Sequence, residues 1–231
     1  MWLTIWEGTG SVPGLGKVIG AFWELSADGT LARYSVASLF RVTVGFYLAI
    51  LVAVPLGIIL GRIRSLNRLM NPFIQFLRPV SPLAWIPFAM IWFGIGDKPA
   101  LFIIFIGSVF PLLISTVKAS ASIHPMYFQV AANLQLGLIE TVRFLILPAV
   151  LPQVVLALRV SLGIAWLVVV AAEMIAVKSG LGYLVIDARN ALRLDHVMVA
   201  IVTIGAIGLA LDSIMTRLER LESVRWRLEQ A

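Results

Sequence analysis

The sequence predicts an all-α fold, a polytopic bundle of transmembrane helices carrying one short cytoplasmic helix. Three observations predict it. Of the 231 residues, 60% are hydrophobic and only 13% charged, with a mean hydropathy of +0.98, which is more apolar side chain than the interior of a soluble domain of this size can hide. Long runs carry no charge at all, the length signal for bilayer-spanning helices. The net charge of +6 falls between those runs and is not interleaved with aromatic residues, a pattern that sets membrane topology and does not suit nucleic acid. The absence of cysteine excludes disulfides, thiolate metal sites and cysteine nucleophiles.

Residues 1–34 form an N-terminal segment of short apolar pieces broken by Gly8, Gly10, Pro13, Gly14 and Gly16. It is neither a full span nor a cleavable signal, because the basic start and the uninterrupted apolar core are both missing. The membrane domain is expected over 35–222, followed by a cytoplasmic tail, 223–231. Its first span runs from Val42 to Gly61, with twelve Val, Leu, Ile or Phe residues and no charge. Within it Gly45, Ala49, Ala53, Gly57 and Gly61 recur every four residues and line up small side chains on one side. That face either packs within one subunit or forms a seam between two copies.

The second apolar region, Pro79 to Phe93, is interrupted by Pro79, Pro82 and Pro87 and predicts a kinked or broken helix. Further spans are expected over Pro99–Val117, Val154–Val177 and Val197–Met215. With five spans, Arg62, Arg64, Arg68, Arg78, Lys118, Arg143, Arg217, Arg220, Arg225 and Arg227 lie on one side, while Lys98, Lys178, Arg189 and Arg193 lie on the other. The positive-inside rule makes the richer side, and with it the C-terminus, cytoplasmic.

The connection 118–148 is too long and too apolar for a simple turn. Pro125 suits the first turn of a helix, and Met126, Tyr127, Val130, Ala131, Leu134 and Leu138 follow at helical spacing. Gly137 is placed at its end, with Pro148 and Pro152 punctuating the return to the membrane. The helix lacks the Lys/Arg-rich face of a lipid-surface helix, which favours docking on a protein over lying on lipid.

Gln129-Val-Ala-Ala-Asn-Leu-Gln-Leu-Gly137, continuing through Ile146-Leu-Pro-Ala-Val-Leu-Pro152, resembles the cytoplasmic loop of binding-protein-dependent ABC importer permeases. Arg78-Pro-Val-Ser-Pro-Leu-Ala-Trp-Ile-Pro87, Trp92-Phe-Gly-Ile-Gly-Asp97, Ala171-Ala-Glu-Met174 and Gly180-Leu-Gly-Tyr183 are similar to the nitrate/sulfonate/taurine/bicarbonate branch. The likeness covers about residues 12 to 222. Three departures stand out: Gln129 replaces the family's acidic residue, Val130 its first alanine, and Gln135 its usual glycine. Loss of that glycine leans toward small oxyanions. Trp2 to Trp6 looks like the stub of a further helix expected in this branch.

The resemblance implies a bacterial inner-membrane permease that works as two copies, receives a small anion from a periplasmic or lipoprotein binding protein, and passes it to the cytoplasm by alternating access. It implies a coupling helix in which Met126, Gln129, Val130, Ala131, Ala132, Leu134, Gln135 and Gly137 meet a cytoplasmic ATPase subunit. ATP and Mg would be bound there, since this chain has no G-x-x-x-x-G-K-[ST] loop and needs no cofactor of its own.

Candidate pathway residues are Arg78, Ser81, Arg159, Trp166 and Glu173. Arg159, Trp166 and Glu173 are seven apart and share one stripe of a helix, and intramembrane charges by default face a bundle interior or a wet path. Snorkelling or structural pairing near the helix ends is the simpler account. Arg78, beside the broken span and with Ser81 near it, is suited to a planar anion, or is one more positive-inside anchor. His124 and His196 are isolated and read as interfacial polar residues, with no metal-ligand spacing. The cluster Asp187, Arg189, Asn190, Arg193 and Asp195 reads first as a solvated loop and second as a contact for a binding protein. Asp212 is expected to pair with a basic neighbour.

Two rival classes fit the sequence less well. A membrane-embedded enzyme lacks H-E-x-x-H and G-x-S-x-G, and Ser108, Ser115 and Ser161 have no expected base at their level. A stand-alone secondary transporter or channel would bring inverted repeats, and none is visible.

Overall fold

The computed structural model describes residues 13–219; the Trp2–Trp6 stub and the tail from Arg220 lie outside them. All regular structure among the described residues is helical: α1 (Leu15–Ala27), α2 (Thr30–Arg62), α3 (Arg64–Leu77), a 3-10 turn (Pro82–Trp85), α4 (Ile86–Phe93), α5 (Asp97–Ala121), α6 (Pro125–Asn133), α7 (Leu138–Thr141), a π-helical stretch (Val142–Ile146), α8 (Leu147–Ala176), α9 (Leu181–Asn190) and α10 (Leu194–Glu219).

Four helical segments are long and apolar enough to cross a membrane, and the pair α3 plus Pro82–Phe93 makes a fifth if the two pieces form one broken span. Packing between α2 and α5 decides the count. A Cβ on Gly57 would lie 2.6 Å from Thr116 and one on Gly61 2.6 Å from Ser120. The contacts advance in the same direction on both helices, so α2 and α5 are parallel. The chain leaves the pair at Arg62 and must travel back along its length before α5 begins, which makes the broken segment a crossing. Trp166 against Ile204 and Arg159 against Asp212 run in opposite senses, so α8 and α10 are antiparallel. Four long segments are joined by a fifth crossing where α3 and Pro82–Phe93, bent by 87°, act as one span.

The stripe of small residues therefore packs inside one subunit. Ala49 and Ala53 are fully buried, and Gly45 meets Ile104 as Gly57 meets Thr116, so each glycine admits a neighbouring helix at a distance no side chain would allow.

Several expectations need correction. The boundary at 34/35 falls inside α2, whose 33 residues give about 50 Å of helix and overrun a hydrocarbon core of about 30 Å. The glycine-broken N-terminal segment holds α1, whose 13 residues make about 20 Å and do not span. Its glycines cost helix propensity, but Ala21 and Leu25 are buried and that burial outweighs them. Most of 62–78, expected as a connection, is the amphipathic helix α3, with Leu66, Met70 and Ile74 turned to the core; Arg64 and Arg68 are exposed on it, as are Arg62 at the end of α2 and Arg78 just past α3. The outer cluster is likewise no simple loop, because Asp187, Arg189 and Asn190 belong to α9.

By contacts the described residues divide into two compact units, 13–45 with 83–104 and 166–210, and 46–82 with 105–165 and 211–219. The second unit has an apolar core that includes Leu60, Leu112, Leu113, Ile146, Val150 and Val154. In the first, the fully buried side chains include Ile103, Ile104, Val169, Leu181, Val199 and Glu173.

Candidate functional site

The most elaborate polar structure in the first unit is built on Arg41. Its Nε donates to Asp97 Oδ1 at 2.7 Å, and its Nη1 to Glu173 Oε1 at 2.6 Å and to the Ser179 carbonyl at 2.9 Å; its Nη2 donates to Ser179 Oγ. Glu173 Oε2 accepts from Ser38 Oγ at 2.8 Å and from the Gly182 N–H at 3.0 Å. Ser38 Oγ in turn accepts from the Leu181 N–H at 2.9 Å. Glu173 is fully buried and the Arg41 side chain nearly so. Each guanidinium nitrogen and both carboxylate oxygens have a partner, the arrangement that a buried ion pair requires.

Backbone space completes this clamp. Gly180 has φ +102, and a Cβ on it would lie 2.3 Å from the Glu173 carboxyl carbon; one on Gly182 would lie 2.2 Å from the Val170 carbonyl oxygen. Three segments kept apart in the sequence, Trp92–Asp97, Ala171–Met174 and Gly180–Tyr183, thus meet around the Arg41–Glu173 pair. Arg41 itself was missed. The available signal was that it is the only Lys or Arg between Arg33 and Arg62, a lone cation at the mouth of an apolar run.

The stripe on α8 is similarly occupied. Arg159 makes a two-pronged pair with Asp212 at 2.8 and 3.0 Å and a third bond to Glu219 at 3.0 Å, which supplies the partner expected for Asp212. The buried Trp166 donates its indole N–H to the Ile204 carbonyl at 3.1 Å, and Gly208 leaves room for the ring. All three stripe residues are engaged in holding helices together.

Arg78 stands elsewhere. It follows α3 at the start of the break and lines a cavity of about 480 Å³ with Pro82, Gly107, Ser115 and Lys118, whereas Ser81 is not part of the lining.

Helix α6 begins where His124 Nδ1 accepts from the Met126 N–H at 3.2 Å and Pro125 fills the first turn, so His124 is a helix cap. The helix stops at Asn133 and not at Gly137. Gln135 adopts φ +54, its N–H bonding the Ala132 carbonyl while the Leu136 N–H bonds Ala131, the left-handed closure that glycine usually makes. Gly137 opens α7 instead, where Glu140 Oε2 accepts from its N–H at 2.9 Å. Met126, Tyr127, Val130 and Leu134 are exposed on α6, while Ala131 is buried. Arg62 lies 3.6 Å above the centre of the Phe128 ring and fixes α6 against the end of α2 by a cation–π contact.

His196 is not isolated: its Nε2 is 3.4 Å from Glu24. Glu24 also takes two bonds from Arg193, at 2.9 and 2.8 Å, and Arg193 reaches Asp195 at 3.3 Å. The Arg193 hydrogen bonds pull the Glu24 carboxyl down to about 2 and raise the Arg193 guanidinium. Beside them, the Asp187 charge raises the Tyr183 phenol.

Residues 53–223 match the family described as "Binding-protein-dependent transport system inner membrane component". The chain belongs to that family. It is 40% identical over 196 residues to a putative ABC transporter permease protein of Methanocaldococcus jannaschii, covering 84% of this chain and 73% of that one. The bicarbonate transport system permease protein CmpB of Synechococcus elongatus is 36% identical over 202 residues, 87% of this chain and 69% of its own. The taurine transport system permease protein TauC of Escherichia coli is 34% identical over 193 residues, 84% and 70%. Among solved structures, an inward-facing form of the MetNI methionine ABC transporter superposes with a TM-score of 0.68 at 17% identity, covering 79% of this chain and 91% of that chain, which shows the shared fold. The chain is therefore a multi-pass permease subunit of an ABC importer, and the stand-alone transporter or channel reading is set aside.

Proposed function

We propose that the permease carries a small anion, of the bicarbonate, nitrate, sulfonate or taurine class, from a periplasmic or lipoprotein binding protein to the cytoplasm, as a homodimer with two cytoplasmic ATPase subunits that bind ATP and Mg and hydrolyse the ATP. The proposal includes placement in the inner membrane with the C-terminus inside. The observation that carries it is α6: a short helix with exposed Met126, Tyr127, Val130 and Leu134, pinned to α2 through Phe128, on the side where the positive residues concentrate. An apolar stripe on a helix fixed at its back fits a groove on a partner. Gln129, Ala132 and Gln135 flank that stripe, Ala131 packs the helix on its own subunit, and Gly137 starts the next turn.

Closure of the ATPase pair would push α6, and Arg62 would pass the movement to α2, a rigid-body coupling between two states. The substrate class is supported by the relatives named for bicarbonate and taurine. Arg78 is assigned to the anion path. Glu173, Trp166 and Arg159 are assigned to its walls, because each is already bonded within the fold.

The test is purification of the tagged permease in mild detergent from a host expressing its ATPase, comparing wild type with Val130→Glu. ATPase that accompanies the wild type and is lost, with an unchanged permease elution profile, from the variant supports the reading; ATPase retained by Val130→Glu refutes α6 as the docking element. Uptake into vesicles of nitrate, bicarbonate, taurine and ethanesulfonate, each with the cognate binding protein, then identifies the anion.

A further inference from the structure

Resting on the reading that the permease carries a small anion, we propose that Ser115, Lys118 and Gln153 join Arg78 in a hydrated anion-binding station in the wall of the transport path. The cavity of about 480 Å³ that holds Arg78 has Ser115 and Lys118 in its lining. A second cavity of about 310 Å³ shares both residues and adds Gln153 and Leu156. Pro111 and Val160 also belong to both linings, so the two spaces meet along one edge.

Helix geometry puts these groups on facing surfaces. Pro111, Ser115 and Lys118 are at i, i+4 and i+7 of α5, and Gln153, Leu156 and Val160 at i, i+3 and i+7 of α8, one face of each helix. All lie in the second unit.

Charge makes the site selective. Among the described residues, two cations and no carboxylate line the cavities. Asp212 and Glu219, the acids of α10 in this unit, are bonded to Arg159. Positive-inside anchoring explains why Lys118 ends a span, but not why it lines a cavity with Arg78 and no compensating acid. The guanidinium offers a planar fork to a trigonal oxyanion, the ammonium a point charge, and the serine hydroxyl and glutamine amide two neutral donors.

Size sets the strength of binding. At about 30 Å³ per water, the larger cavity has room for on the order of ten waters, so an anion enters with part of its hydration shell. A station in a path must attract its ion and still release it, and water-filled space around two cations meets both needs.

The absence of native cysteine allows a test that does not depend on turnover. In membrane vesicles containing the complete transporter, Ser115→Cys is reacted with anionic sulfonatoethyl methanethiosulfonate and with the cationic trimethylammonium analogue, and labelling is read on the permease chain. Between clustered cations the anionic reagent is expected to react at least about tenfold faster, relative to the ratio for free thiol. That preference should collapse when Lys118→Gln is added, recover with Lys118→Arg, and fall when nitrate or ethanesulfonate is added at constant ionic strength. Equal relative rates, or a preference unaffected by Lys118→Gln, would overturn the station. The two proposals fail separately: vesicles that transport anions while Ser115→Cys shows no preference reject the station alone, and a clear preference in vesicles that transport none of the anions rejects the substrate class alone.

Discussion

The Arg41 clamp and the Arg78 cavity treat the same kind of side chain in opposite ways. Around Arg41 every nitrogen of the guanidinium is bonded and the opposing carboxylate is fully buried. Around Arg78 and Lys118 the lining offers space, a hydroxyl and an amide, and no acid. A buried charge that serves the fold arrives with its counter-charge, because an unpaired one costs several kcal/mol. A cation left without one beside a cavity has its electrostatic capacity free for a passing anion. Arg159, one of the candidate pathway residues, is matched by acids in the same way as Arg41, through Asp212 and Glu219.

The hardest way to break this contrast is to remove one half of the clamp. Glu173→Ala leaves Arg41 in a buried site with only Asp97 as an acidic partner, and the loss should be about 3 kcal/mol, seen as a large drop in the melting temperature of the purified transporter. Replacing both residues, Arg41→Met with Glu173→Leu, should recover part of it, because no buried charge remains. A double variant less stable than Glu173→Ala would show that the pair contributes more than mutual neutralisation.

Gly182→Ala probes the same region without touching charge. The added Cβ would lie 2.2 Å from the Val170 carbonyl oxygen, a backbone atom that cannot swing away. We expect about 2 kcal/mol of destabilisation from overpacking, measured in the same melting assay, against near-neutrality for Gly205→Ala, where nothing lies within 4 Å.

How far this architecture was legible follows from the range of each signal. Spans rest on local composition, so the apolar runs and the proline-broken segment were readable, and the four-residue stripe named the packed face of α2. The existence of α6 was readable from Pro125 and its periodicity. Its end was not, because a glutamine in left-handed backbone carries no mark in sequence. The clamp was hidden for a different reason: Arg41 and Glu173 are 132 residues apart, and nothing local to either names the other. The Lys118 cavity was masked by a sufficient simpler explanation, topology, which accounts for where a lysine sits along the chain and says nothing of what it faces.

The two helix ends closed by non-glycine residues offer a smaller effect. Gln135 at φ 54 ends α6 and Leu192 at φ 57 ends α9. The left-handed conformation costs an ordinary residue about 1–2 kcal/mol, and glycine gives back part of that relief as lost chain entropy. Gln135→Gly and Leu192→Gly should each stabilise by about 0.5 kcal/mol, read as slower amide exchange in the last turn of α6 or α9. At Gln135 the substitution also restores the family's usual residue, so coupled ATPase activity should persist.

The smallest effect concerns the exposed pair of Glu24 and Arg193. Glu24 is held at about 2, against an ordinary 4.5, mainly by its bonds to Arg193. A carboxylate whose folded value is depressed stabilises the protein above its unfolded value, and that contribution is lost as pH falls toward the folded one. The groups facing it are Arg193 and His196, with Asp195 bonded to Arg193. The melting-temperature difference between wild type and Glu24→Gln should thus be flat from pH 7 to about 5 and narrow below about 4.5. Because the pair is exposed, the difference should also shrink with added salt. A difference that widens on acidification, or that ignores salt, would place the pair among buried, fold-bearing contacts like that of Arg41, and would remove the distinction between the clamp and the surface around it.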